Sequence, residues 1–298
     1  QVRAQPCQRG NRTAGPSQPE QCLWLWRFKR NRGGVCLGLR ASVTAIGLVT
    51  PWGQGLVSFD EARASGRSGL SVLDSGPVEL GGLCAEPALR DVLTRRRDKK
   101  IFSRCAKLLL RASADAAEGW RGEPEEMGLF FGIRKEPSET GGGDMALIAS
   151  VTQERLDQRL LATVGKDLSP PLLPLESLPN MCLAHVSIQL GFRGECGVAA
   201  GGPTAGVHAV NEGIAAVAEG RCPAALVGAV DSWVDGPSQR DWVRLGRLAP
   251  PAEAAVVFRL EPLGHPDTLF VLERKGSGLG GREGQVEHHS LLGHAGSA

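Results

Sequence analysis

The chain has no tyrosine and only three methionines, and arginine far outnumbers lysine. These are biases of coding composition and decide nothing about function. The missing patterns are more informative. No run approaches the roughly 18 uncharged apolar residues of a helical membrane span, and the start lacks the compact apolar core of a signal peptide. A cytoplasmic protein without membrane contact is expected. Although there are eight cysteines, no two form a C-x-x-C pair, which argues against a zinc ribbon or a thioredoxin-like site. A disulfide framework is not expected at this chain length. There is no strong charge of either sign: 34 basic and 32 acidic residues leave a net +2, so no overall field singles out nucleic acid. Gly276–Gly281 fits G-x-G-x-x-G after a strand, but no apolar helix follows whose N-terminus would hold a pyrophosphate. No cofactor and no metal are expected.

What remains is a chain of 298 residues, 42% hydrophobic, long enough to bury a substantial core. Residues 1–40 are rich in Arg, Gln, Pro, Gly and Asn, hold no hydrophobic period, and read as a disordered basic leader. Within it, Trp24–Arg32 mixes basic and aromatic residues in a way that suits RNA or a membrane surface, against the plainer reading of an unstructured tail. From Ala41 short β-rich runs alternate with helical patterns, the mark of an α/β domain, here spanning 41–275 with 276–298 left over. The expected strands are Ser42–Leu48, Met127–Ile133, Cys196–Ala200, Ala224–Val230, Ala254–Leu260 and Leu269–Leu272. The expected helices are Val57–Ala64, Pro87–Thr94, Ile101–Glu118, Asp144–Leu160 and Pro203–Glu219. Between Gly194 and Ser232 a small-residue strand enters a Gly201-Gly202 turn, Pro203 opens a helix that stops at Gly220, and a second strand follows. That is a βαβ unit whose turn places groups at a helix N-terminus.

These residues resemble the β-ketoacyl-acyl-carrier-protein synthases of the thiolase superfamily. VTAIGLVTPWGQG (Val43–Gly55) and FDEARASGRSGL (Phe59–Leu70) look like the family's first strand and the helix after it. FSRCAKLLLRASADA (Phe102–Ala116) looks like its "SRF…LALAAA" helix, and LPNMCLAHVSIQLGFRG (Leu178–Gly194) resembles "LPNMAAGHVSIRFGLRG". The resemblance implies a thiolase-like, layered αβαβα fold, represented by its N-terminal half with a rudimentary second half in 276–298.

The family's next motif is "VSTACASGxHAI", whose cysteine is acylated by the substrate. Laid on Ala199–Val210 without a gap, it puts Pro203 at the cysteine. A cysteine at a helix N-terminus has its thiolate stabilised by the helix dipole. Proline has no thiol and no N–H, and in the family the nucleophile's own N–H is one of two oxyanion donors. The resemblance of HHSLLGHAGSA (His288–Ala298) to "KSLLGHxxGAAG" places His294 on one family active-site histidine and His289 where the family lysine belongs. The "HGTGTxxND" histidine has no counterpart, and Leu248–Ala255 (LAPPAEAA) departs from the family's "GFVxGEGA". As for the other candidates, His185 and His208 read as hydrogen-bonded structural histidines, Cys182 as a small core residue, and Cys196 as too far from the helix start, by about 20 Å of extended chain, to replace the nucleophile. The histidines 288, 289 and 294 lack the companions of a metal site.

The function implied is a β-ketoacyl-synthase-like protein of fatty acid or polyketide biosynthesis. With Pro203 at the nucleophile position it is expected to be non-condensing and to act, as chain-length factors do, as the dimer partner of an active ketosynthase, with an acyl carrier protein as the other partner. The alternatives are a degenerate fragment without activity, or an acyltransferase or malonyl decarboxylase of altered chemistry.

Overall fold

A computed structural model describes residues 38–74, 76–134, 142–169 and 178–274. Its centre is a mixed sheet built from β1 (Leu39–Thr50), the short β2 (Gly53–Gln54), β5 (Met127–Ile133), β8 (Cys196–Ala200), β9 (Ala224–Ser232), β10 (Glu253–Glu261) and β11 (Phe270–Arg274), in the order β11-β1-β10-β9-β5-β8 with β2 beside β1. Two small hairpins lie apart from it: β3 (Ser71–Val72) with β4 (Leu80–Gly81), and β6 (Val151–Thr152) with β7 (Arg155–Leu156). Helices α1 (Gly55–Ser65), α2 (Arg104–Ala117), α3 (Gly142–Ala149), α4 (Pro179–Leu190), α5 (Ala205–Ala218) and α6 (Gly236–Arg244) lie around the sheet, with a further helical stretch at 158–168 and short 3-10 helices at Arg96–Ile101 and Pro124–Glu126.

The strand at the heart of the sheet explains the layering. MGLFFGI in β5 is buried at every position, as a strand covered on both faces requires. Its odd-numbered residues Met127, Leu129, Phe131 and Ile133 join Leu108, Leu109 and Leu110 of α2 and Cys182 and Val186 of α4 in one core. Phe130 points the other way and meets Ile214 and Val217 of α5 in a second. Helix, sheet and helix therefore form three layers, and both faces of the sheet are apolar because both are covered. Helix α2 is capped by Ser103, whose Oγ accepts the Ala106 N–H at 3.1 Å.

The βαβ unit is present with one refinement. β8 and β9 run parallel, but β5 lies between them and pairs with both. The sequence pattern cannot show an inserted strand that comes earlier in the chain. β5 and β8 match the expected bounds residue for residue, and the other four strands are longer by one to several residues. The expected helix at Pro87–Thr94 is instead a loop with one turn, in which the Leu89 carbonyl accepts the Val92 and Leu93 N–H groups. Arg111 of α2 pins this loop through the Ala88 carbonyl and Asp91. The expected helix at Asp144–Leu160 is broken by the β6–β7 hairpin. Gln153 and Glu154 take positive φ in its two-residue turn, and Asp157 restarts the helical path by accepting the Arg159 and Leu160 N–H groups. Helices α4 and α6 were absent from the expected set. β1 opens at Leu39, so the last residues of the expected leader belong to the sheet. Among the described residues no helix is long and apolar enough to cross a membrane.

Candidate functional site

Strands β8, β5 and β9 are parallel, so their C-terminal ends lie at one edge, where an α/β sheet presents its loops. Three segments meet there. The first is the turn from β8 into α5. Gly201 and Gly202 both take φ near +90°, at +87° and +89°, a conformation that excludes an ordinary side chain without strain. The Ala205 N–H then bonds back to the Gly202 carbonyl at 3.3 Å. Pro203 is therefore the second residue of a four-residue turn, where its fixed φ is favoured, and not the first helical residue as expected. The helix begins at Ala205 behind Thr204, which makes no side-chain cap bond.

The second and third segments are the ends of β5 and β9. Gly132 of β5 allows the start of α5 to rest on the sheet: a Cβ there would lie 2.3 Å from the Gly206 nitrogen and 2.4 Å from the Ala205 carbonyl carbon. Arg134 follows β5, and Asp231 lies near the end of β9. Arg134 Nε donates to Asp231 Oδ1 at 2.9 Å, and its Nη2 donates to the Ser232 carbonyl at 3.1 Å and to Ser238 Oγ at 2.9 Å. The guanidinium lies 3.5 Å from the centre of the Trp233 ring, and Trp233 Nε1 donates to Asp231 Oδ2 at 2.7 Å. Between these segments is a cavity of about 440 Å³, lined by Pro203 together with Arg134, Val207, Asn211, Ala229 and Asp231.

A second cavity of about 530 Å³ shares Asp231 and is bounded by Trp52, Leu70, Ala252 and Glu253. Glu253 is a fully buried carboxylate. It receives Arg104 Nε at 3.1 Å and Nη2 at 2.6 Å, the Cys84 N–H at 2.8 Å and Ser232 Oγ at 3.0 Å. Burial, with the Glu253 charge as a lesser cause, pushes the Cys84 thiol up to about 12, so Cys84 stays neutral and unreactive at ordinary pH.

Of the sequence candidates, only Pro203 is placed within this site. His289 and His294 lie outside the described residues, as do the Gly276–Gly281 and Trp24–Arg32 segments. Cys196 is exposed at the far end of β8 and Cys182 is buried in the core, as expected for both. His185 is buried beside Phe102, with ring centres 4.3 Å apart, whereas His208 is exposed on α5, where the expected role of a hydrogen-bonded structural histidine has no buried setting. Burial holds the His185 imidazole below its ordinary value, and the Asp98 charge opposes this only in part. Among the described residues no cluster of His, Cys, Asp and Glu has the form of a metal site. Sequence reasoning missed Arg134, Asp231 and Trp233. Their signal was available: the charges come at the ends of two apolar runs, MGLFFGI and AALVGAV, where buried strands emerge.

Comparison with known proteins agrees with this geometry. Residues 40–259 match the family model for the β-ketoacyl synthase N-terminal domain. Two proteins described as polyketide β-ketoacyl synthase 1, from Streptomyces halstedii and Streptomyces cyaneus, are 28% and 26% identical over 202 residues, which are 65% of this chain and 46% of each relative. The chain thus spans about half the length of these relatives. Three solved structures share the fold. A type II polyketide acyl-carrier protein in complex with its ketosynthase bound to the hexaketide has a TM-score of 0.59 at 13% identity, covering 75% of this chain and 62% of that one. The ishigamide ketosynthase/chain length factor has a TM-score of 0.58 at 20% identity, covering 76% and 63%. A β-ketoacyl synthase from Burkholderia phymatum has a TM-score of 0.59 at 18% identity, covering 75% and 59%. With the family model spanning most of its length and the layered sheet of a thiolase-like fold around the Pro203 turn, the chain belongs to the β-ketoacyl synthase family.

Proposed function

We propose that this protein is a non-condensing, ketosynthase-like subunit that holds an acyl chain beside Pro203 and works in partnership with an active ketosynthase and an acyl carrier protein. The observation that carries the reading is the pairing of an intact strand, turn and helix with a residue at position 203 that has neither a thiol nor an N–H. Such a residue can neither attack a thioester nor donate to an oxyanion, while the cavity next to it remains open. The partnership draws on relatives that act as pairs or with carrier proteins, and on the edge of β8, which no other strand among the described residues covers. In this reading the ketosynthase-like N-terminal domain opens with β1 at Leu39 and runs to about residue 275, the residues before it are a leader, and His294 and His289 stand at the family histidine and lysine positions of the segment that follows.

Incubation with an acyl thioester followed by intact-mass analysis tests the reading. The wild type is expected to gain no acyl mass, and Pro203→Cys is expected to gain one acyl group. An acylated wild type overturns the non-condensing reading. If neither protein is acylated and neither associates with a ketosynthase, an inert fragment is the better account.

A further inference from the structure

We propose that the cavity behind Pro203 selects acyl chains that carry a keto oxygen over saturated chains of the same length, and that Arg134 makes the selection. The inference rests on the reading that this cavity takes an acyl chain and adds which kind. The Arg134 guanidinium is held by Asp231, the Ser232 carbonyl and Ser238 Oγ, and it lies against the Trp233 ring. Its Nη1 makes no hydrogen bond among the described residues, while the residue lines the cavity.

Three chemical classes can be compared at such a donor. A saturated chain packed against it removes water from Nη1 and offers no acceptor in return, the unfavourable case for a buried polar group. A carboxylate finds the positive charge already balanced and lies close to Asp231, whose Oδ1 also accepts the Ser232 N–H and whose Oδ2 is bonded to Trp233. A neutral carbonyl accepts the free N–H without bringing a second negative charge to the pair. The donor is also held in place before any ligand arrives, so little side-chain freedom is lost on binding. The remaining lining combines one neutral polar side chain, Asn211, with Gly132, Gly202, Ala205, Gly206, Val207 and Ala229, which are small or apolar and suit the hydrocarbon part of the chain.

The test is a calorimetric titration of the full chain with the N-acetylcysteamine thioesters of hexanoic acid and of 3-oxohexanoic acid. The wild type is expected to bind the 3-oxo compound about tenfold or more tightly than the saturated one, as one hydrogen bond to a charged donor implies. In Arg134→Met, which keeps the length and loses the donors, the preference is expected to fall to within about twofold. If Arg134→Met does not fold, as judged by its thermal melt, Arg134→Lys takes its place. Lysine keeps a charge facing Asp231 but lacks the planar fork, and it too is expected to lose the preference. Equal affinity of the wild type for both thioesters, or a preference that persists in the variant, overturns the selection while leaving the acyl-site reading in place. Binding of neither overturns both.

Discussion

At the scale of single residues, the positions that matter most are polar groups placed where the sheet is otherwise apolar. Glu253 is held by four donor groups and fixes the loop at Cys84 against β10, so its charge serves packing and is not available for chemistry. His185 is a buried group whose acid response begins near neutral pH. Burial lowers its affinity for a proton in the folded state, so the unfolded chain takes up a proton first as the pH drops. Stability from this group is complete above the ordinary histidine value of about 6.5 and is lost as the pH falls from there towards the folded value. The melting temperature of the wild type is expected to drop between pH 7.5 and 5.5 by more than that of His185→Gln, as measured by circular dichroism at both pH values. Equal slopes for the two proteins would show that His185 does not carry the response.

At the scale of elements, the site depends on how closely α5 approaches β5. Gly132 makes this possible at the start of the helix, and about two turns further along Gly213 brings the helix equally close to β9: a Cβ at Gly213 would meet Val227 Cγ1 at 2.1 Å. Gly132→Ala is expected to cost about 1–3 kcal/mol, the usual penalty for overpacking a tight contact, and to push the Pro203 turn away from the sheet. Urea denaturation reads the stability. A Gly132→Ala protein as stable as the wild type would mean that the helix shifts freely and that the turn is not held in position by β5. The turn itself depends on Gly201 and Gly202 for its left-handed backbone and on Pro203 for its next dihedral. Pro203 thus suits the connection between strand and helix as well as it fails the chemistry of a nucleophile.

At the scale of the whole molecule, β8 ends the sheet among the described residues, with one side unpaired. Within β8 the groups turned towards β5 follow from the ladder: the Leu129 N–H reaches the Glu195 carbonyl, and the Gly201 N–H reaches the Ile133 carbonyl. By the alternation of a parallel pair, the Val198 N–H and carbonyl face outward, where another strand can add. Val198→Pro is therefore expected to abolish association with a ketosynthase or a second copy while leaving the fold intact, since no bond to β5 is lost. Sedimentation velocity over a range of concentrations, alone and with a ketosynthase, measures this. Association undiminished in the variant would move the interface to another face. Exposed apolar side chains elsewhere, such as Ile148, Ile188 and Val207, give that alternative a place to look.

The sequence by itself determined the family, six of the described strands of the central sheet and the paired-glycine turn that holds Pro203. Each is written in local patterns: continuous apolar runs for strands buried on both faces, paired glycines for a left-handed turn, and ordered motifs with fixed spacing. It misread Pro87–Thr94 and Asp144–Leu160, where helical periodicity competes with contacts made far along the chain, such as Arg111 on Asp91, or with a tight hairpin turn. Only the tertiary structure decided that β5 lies between β8 and β9, and so that Arg134 and Asp231, 97 residues apart in sequence, meet as an ion pair behind Pro203. Strand order and charge pairing across a sheet depend on which surfaces bury each other, and that information is carried by the whole chain and by no segment of it.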